Sequence, residues 1–196
     1  MPTPTSAPFN YTISGTVGTA GTNSTVKLTG STNQITTADG KTHQATLTKD
    51  NQSKKDDLAL LQFQATDKYT IASLGDTQQV TLNQPVFAVG FPDGEAQLTF
   101  NSGKIAQISQ KPLVGGYQIG FTNSTKQGMS GGALLNQEGK VIGILGMGAA
   151  AVLDSAYLYA DGSSPDAQML EQLRANSLAL PVTNVISSLP EAENQE

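Results

Sequence analysis

The sequence predicts an all-β protein of short antiparallel strands, with helical segments confined to the C-terminal end. Three observations carry this. Short runs alternate apolar and polar residues at period two, as in Ser24-Thr25-Val26-Lys27-Leu28-Thr29. Thr, Ser, Asn, Gln and Gly dominate the rest, a composition of strands and turns rather than long helices. Glycine and Asx turn signals separate the runs at the spacing of a barrel or sandwich.

Each element follows from its residues. Residues 1–10 open with Met1-Pro2-Thr3-Pro4-Thr5-Ser6-Ala7-Pro8, a flexible Pro/Thr/Ser segment. It has neither a basic region nor an apolar stretch, so it is not a signal peptide. Strands are expected over 11–17 and 24–29. The runs 34–38 and 42–47 flank Asp39-Gly40, a hairpin signal because glycine accepts the positive φ of a type I′ turn. A polar loop over 49–56 leads to the apolar strand 58–63. After a polar connection come runs at 85–90, 97–106, 117–122, 132–135 and 141–145. Ser164-Pro165-Asp166 then has helix-start chemistry, with Ser at the cap and Pro at the first helical position. A last strand over 178–182 precedes a short helix over 183–189, and 191–196 is an acidic, frayed tail.

Composition narrows the function. The 196 residues suit one domain or two small barrels sharing a cleft. A net charge of -5 and a pI near 4.8 argue against binding nucleic acid through a basic face. No run reaches the ~18 apolar residues of a membrane-spanning helix. There is no cysteine and only one histidine, which leaves neither disulfides nor a Cys/His metal site. No metal or cofactor is expected.

The chemistry concentrates at Gly128-Met129-Ser130-Gly131-Gly132. A serine framed by glycines suits a nucleophile, which needs an exposed hydroxyl at a tight bend and N–H groups aimed where an oxyanion forms. This string, followed by Ala133-Leu134-Leu135 and Gly143-Ile144-Leu145-Gly146, resembles the nucleophile loop of trypsin-like (chymotrypsin-fold) serine peptidases. Asp57-Leu58-Ala59-Leu60-Leu61 is similar to that family's aspartate strand. Gly90-Phe91-Pro92 and Gly103-Lys104-Ile105 are similar to the start of the second barrel in short bacterial members.

The resemblance covers roughly 11–190. It implies two small antiparallel β-barrels with a C-terminal helix, the first over 11–75 and the second over 76–190, with 71–76 as linker. It implies Ser130 as nucleophile, Asp57 as orienting carboxylate with Asp56 facing solvent, and the N–H groups of Gly128 and Ser130 as the oxyanion hole. Ser124 would form the base of a small, uncharged specificity pocket, with Gly146, Met147 and Gly148 as its wall.

The family's histidine base is missing. The matching strand end reads Leu28-Thr29-Gly30-Ser31-Thr32. The only histidine, His43, follows the hairpin tip, and six to eight residues at ~3.3 Å each put it on the order of 20 Å from Asp57. A base must lie about 3 Å from the proton it takes, so His43 reads as an exposed hairpin residue. The leading expectation is therefore a monomeric peptidase homologue, inactive or weakly active, that binds peptide or protein through the old cleft. Export is favoured if a signal was removed. One alternative is an active endopeptidase using His43 or a lysine (Lys126 or Lys27) as base. Another is a structural β-domain without enzymatic descent.

Overall fold

The computed structural model describes residues 10–14, 33–37, 40–47, 56–66, 72–92, 98–149 and 157–188. They form a mostly-β molecule: a four-stranded sheet, a closed six-stranded barrel and two short C-terminal helices. The expected strand over 24–29 lies outside these residues, as does most of the 49–56 loop.

The first sheet contains β1 (Asn10–Ser14), β2 (Asn33–Thr36), β3 (Thr42–Leu47) and β4 (Ala59–Phe63), antiparallel in the order β1-β4-β3-β2. The β2–β3 hairpin differs from the expected two-residue turn. Gly40 N–H donates to Thr37 O (2.8 Å), Thr37 N–H donates to Lys41 O (2.9 Å), and Gly40 has φ +80°. Gly40 thus follows a turn closed from Thr37 instead of sitting at its centre, the pattern of a turn ending in a glycine bulge.

The core decides this register. Pairing Ile35 with His43 and Ala45 with Phe63 puts all four on one face. Ile35, Ala45 and Phe63 form the sheet's small core. A two-residue turn at Asp39-Gly40 would slip the pairing by one and bring Gln44 opposite Ile35.

The barrel is built from β5 (Pro85–Gly90), β6 (Thr99–Ile108), β7 (Ile119–Phe121), β8 (Ala133–Leu135), β9 (Val141–Met147) and β10 (Ser177–Pro181). Its circular order β10-β7-β6-β5-β8-β9 leaves no unpaired edge. Val86, Ala88, Ile105, Phe121, Leu134 and Ile142 are among the residues filling its interior. In β5 the alternation is plain, with Val86 and Ala88 buried and Phe87 outward.

β9 is instead buried continuously from Val141 to Leu145. Ile142 and Leu145 face the interior. Val141 and Ile144 pack outside against Val182 and Val185 of α2 (Val182–Ser188). A strand covered on both faces reads as an unbroken apolar run.

The other helix, α1 (Ala167–Ala175), starts two residues later than Ser164-Pro165 suggested. Asp166 is the N-cap: its carboxylate accepts from Met169 N–H at 2.8 Å. An ionised cap satisfies an orphan N–H and complements the helix dipole, so Asp166 prevails over Ser164.

Two backbone junctions join sheet to barrel. Asp56 forms a parallel bridge to Gly115, and Leu74 one to Val141. Leu58, between them in the chain, packs against two clusters of the barrel.

Candidate active site

The Ser130 loop is set by close backbone approaches. Gly128 has φ +91° and Gly131 φ +85°, conformations that favour glycine. Gly132 lies so near the end of β5 that a Cβ there would run into the Val89 carbonyl oxygen. Met129 is buried beside Gly90, and Asn101 Nδ2 lies 3.9 Å from its sulfur.

Bonding inside the loop is selective. Met129 N–H donates to Lys126 O, Gly131 N–H to Leu145 O and Gly132 N–H to Met129 O. Among the described residues, the N–H groups of Gly128 and Ser130 donate to no acceptor. Two unspent donors flanking a serine hydroxyl are what an oxyanion requires. The hydroxyl itself donates to Gly146 O at 2.9 Å.

The structure brings Asp57 toward this loop through Tyr117. Tyr117 Oη donates to Asp57 Oδ2 at 2.5 Å. The phenol is 6% exposed and lies against Gly146, where any Cβ would collide with its ring and hydroxyl. The contacts therefore run Asp57, Tyr117, Gly146, Ser130. Burial pushes the Tyr117 pKa above its ordinary range, and the Asp57 charge and hydrogen bond add to the shift. The expected roles of the two aspartates in solvent are reversed. Asp57 is exposed, while Asp56 is half-buried and accepts from Asn184 Nδ2 at 3.2 Å. The parallel bridge to Gly115 turns Asp56 inward.

Of the residues expected to line the pocket, Gly148 faces Thr125, the neighbour of Ser124 in the chain. A Cβ on Gly148 would lie 3.5 Å from Thr125 Oγ1, and Ser124 O accepts from Asn101 Nδ2 at 2.7 Å. Gly146 and Met147 are half-buried; Ser124 and Gly148 are exposed. Asn123, beneath them, is buried and donates to Val86 O and Asn101 O.

His43 lies on the first sheet, paired with Ile35. Its ring lies 4.9 Å from that of Phe63, so it is half-buried rather than the exposed residue expected. Phe63 ends β4 six residues beyond Asp57, about 20 Å along an extended chain. Lys126 is exposed, and Lys27 lies outside the described residues. Among the described residues no group of three or more His, Asp or Glu could hold a metal, and no helix is long and apolar enough to cross a membrane.

Sequence reasoning missed Tyr117, Asn101 and Asn123. The available signal was Gly115-Gly116 before Tyr117, both glycines at φ +84°. Two successive left-handed residues mark a forced turn, and here they deliver the phenol.

Known proteins agree with this architecture. A family model described as trypsin-like peptidase domain matches residues 13–144. The periplasmic pH-dependent serine endoprotease DegQ of Escherichia coli (strain K12) is 37% identical over 110 residues, 54% of this chain and 23% of DegQ. The solved structure of the HtrA-type protease AlgW with decapeptide superposes with a TM-score of 0.64 at 21% identity, covering 91% of this chain and 47% of that one. The AlgW S227A structure with tripeptide gives 0.59 at 20% identity, over 79% of this chain and 45% of that one. The chain thus spans about a quarter of DegQ's length and about half of the AlgW chain. The extent of the family match, together with the barrel fold, shows that this chain belongs to the trypsin-like peptidase domain family.

Proposed function

We propose that this chain is a serine-peptidase homologue that has kept a peptide-binding cleft and an oxyanion-type loop at Ser130, but has no base to activate the serine. The supporting observation is the pairing of two unspent N–H donors at Gly128 and Ser130 with a sole histidine whose ring lies tilted against Phe63, at the far end of β4. Among the described residues the Ser130 hydroxyl donates to the Gly146 carbonyl, and a carbonyl does not take a proton near neutral pH. An oxyanion hole and binding alone retain ~10³-fold acceleration over water, far below a working protease.

The cleft would take an extended peptide, held by main-chain hydrogen bonds. The AlgW structures with decapeptide and tripeptide support a peptide as the ligand class. The residues expected to line the pocket, Ser124, Gly146, Met147 and Gly148, carry no charge, which implies no preference for an Arg or Lys side chain. DegQ is periplasmic, which supports an exported location.

Labelling with a fluorophosphonate, wild type beside Ser130→Ala from pH 6 to 9, tests the missing base. The expected result is no stoichiometric labelling of folded protein. Labelling that disappears in Ser130→Ala would mean that a base exists, and His43→Ala and Lys126→Ala would then identify it. Binding is tested by adding unfolded β-casein peptides and following backbone amide shifts, expected at Gly128, Ser130 and Gly146.

A further inference from the structure

The Asp57 carboxylate is engaged in a way that a serine-peptidase role does not require. Its Oδ2 accepts from Tyr117, while the backbone N–H of the same residue donates to Gly115 O at 2.9 Å. Side chain and main chain of Asp57 thus grip the same turn. The turn is shaped for this: a Cβ on Gly115 would press on the Tyr117 ring at 2.9 Å, and one on Gly146 would collide with it from another side. Glycine at both positions admits the ring.

We infer that Tyr117 is a positioning residue, the group that Asp57 serves in this chain in place of a histidine, and that its ring props the Gly146 segment on which the Ser130 hydroxyl rests. A buried phenol must satisfy its O–H, and Asp57 is the acceptor it has. A carboxylate acceptor makes that bond stronger than a neutral one. The ring then fixes Gly146, whose carbonyl accepts from Ser130 Oγ. An aspartate without a base to orient would otherwise have no evident job here; this bond supplies one, joining the start of β4 to the barrel. The consequence for ligand binding rests on the proposed reading of Ser130 and Asp57 as the family's site residues. The coupling of Asp57, Tyr117 and Gly146 does not depend on it.

The test uses the full chain as Tyr117→Phe, Asp57→Asn and the double variant, with Gly146→Ala made alone and together with Tyr117→Ala. Phenolate absorbance is titrated, unfolding is followed in urea, and amide shifts are recorded with and without β-casein peptides. One of the five tyrosines should ionise late in the wild type, vanish from the titration in Tyr117→Phe, and ionise earlier in Asp57→Asn. Asp57→Asn should lower the folded-to-unfolded ratio about tenfold in the wild type but less than twofold beside Tyr117→Phe. Gly146→Ala should be disruptive alone and much milder beside Tyr117→Ala. The Ser130 and Gly146 amides should shift in Tyr117→Phe.

Additive costs, or a late phenol unmoved by Asp57→Asn, would overturn the inference. The two ideas fail separately. Coupled costs with no peptide shifts in any variant would remove the binding cleft and keep the pair. Additive costs with peptide shifts intact would remove the pair and keep the cleft.

Discussion

At the scale of single residues, the site depends on where a side chain is forbidden. Gly132 and Gly139 separate two reasons for glycine. A Cβ at Gly132 would strike the backbone carbonyl of Val89 and come within 2.9 Å of Met129 O, and neither can move without shifting a strand or the Ser130 loop. Gly132→Ala should therefore cost at least the 1–3 kcal/mol typical of overpacking, read as a lower urea midpoint. It should also move the Ser130 amide resonance. Gly139 has φ +74° and open space around it. Gly139→Ala should cost only the conformational penalty, about 1–2 kcal/mol, and leave the Ser130 amide in place. Equal amide shifts in the two variants would refute this division. The tight bends around Ser130 were legible in the sequence because Gly128, Gly131 and Gly132 lie within five residues of one another. Tyr117 was not, because its partners Asp57 and Gly146 lie 60 and 29 positions away, and no local pattern around it records them.

At the scale of elements, apolar pattern was the reliable signal and turn or cap chemistry the ambiguous one. β5 was read at its observed bounds, because Pro85 and Gly90 punctuate it and the apolar run between them is unbroken. The β2–β3 turn was misread because Asp-Gly serves a two-residue turn and a glycine bulge alike, the glycine being left-handed in both. Only the match of Ile35 with Ala45 and Phe63 chooses between them. The start of α1 posed the same problem, since Ser164 and Asp166 are both good caps. The structure makes the choice testable. Asp166→Ala should cost about 1 kcal/mol of stability, through loss of its bond to Met169 N–H. Ser164→Ala, exposed and outside the cap, should stay within about 0.5 kcal/mol. Thermal unfolding of both variants checks this, and a larger loss from Ser164→Ala would return the cap to the position first expected.

At the scale of the whole molecule, what matters is how the first sheet is held to the barrel, since any cleft between them is only as rigid as that junction. Two backbone bridges and Leu58 contribute, and the Tyr117–Asp57 bond adds a polar tie whose strength depends on protonation. In the folded state Tyr117 holds its proton well above the ordinary phenol range, first because it is buried and then because of the Asp57 charge. In the unfolded chain it ionises near pH 10. Below that pH both states carry the proton, and the full contribution of the bond is present. Above it the unfolded state releases the proton and the folded state keeps it, so the unfolded state binds fewer protons and stability falls as pH rises. Lys111 and Lys140 add to the alkaline loss, since Asp161 and Glu138 raise their pKa values, but both pairs are fully exposed and weak. A difference measurement removes them. Stability of wild type minus Tyr117→Phe should be flat from pH 7 to about 9.5 and should decline steadily above pH 10. The variant itself should be less stable at neutral pH by about 1–2 kcal/mol, the range for a hydrogen bond to a charged acceptor when that acceptor is partly solvated. Urea unfolding at intervals from pH 7 to 11.5 supplies both numbers. A difference that stayed constant above pH 10 would mean that the phenol is not buried against Asp57, and that the junction is held by the backbone bridges and Leu58 alone.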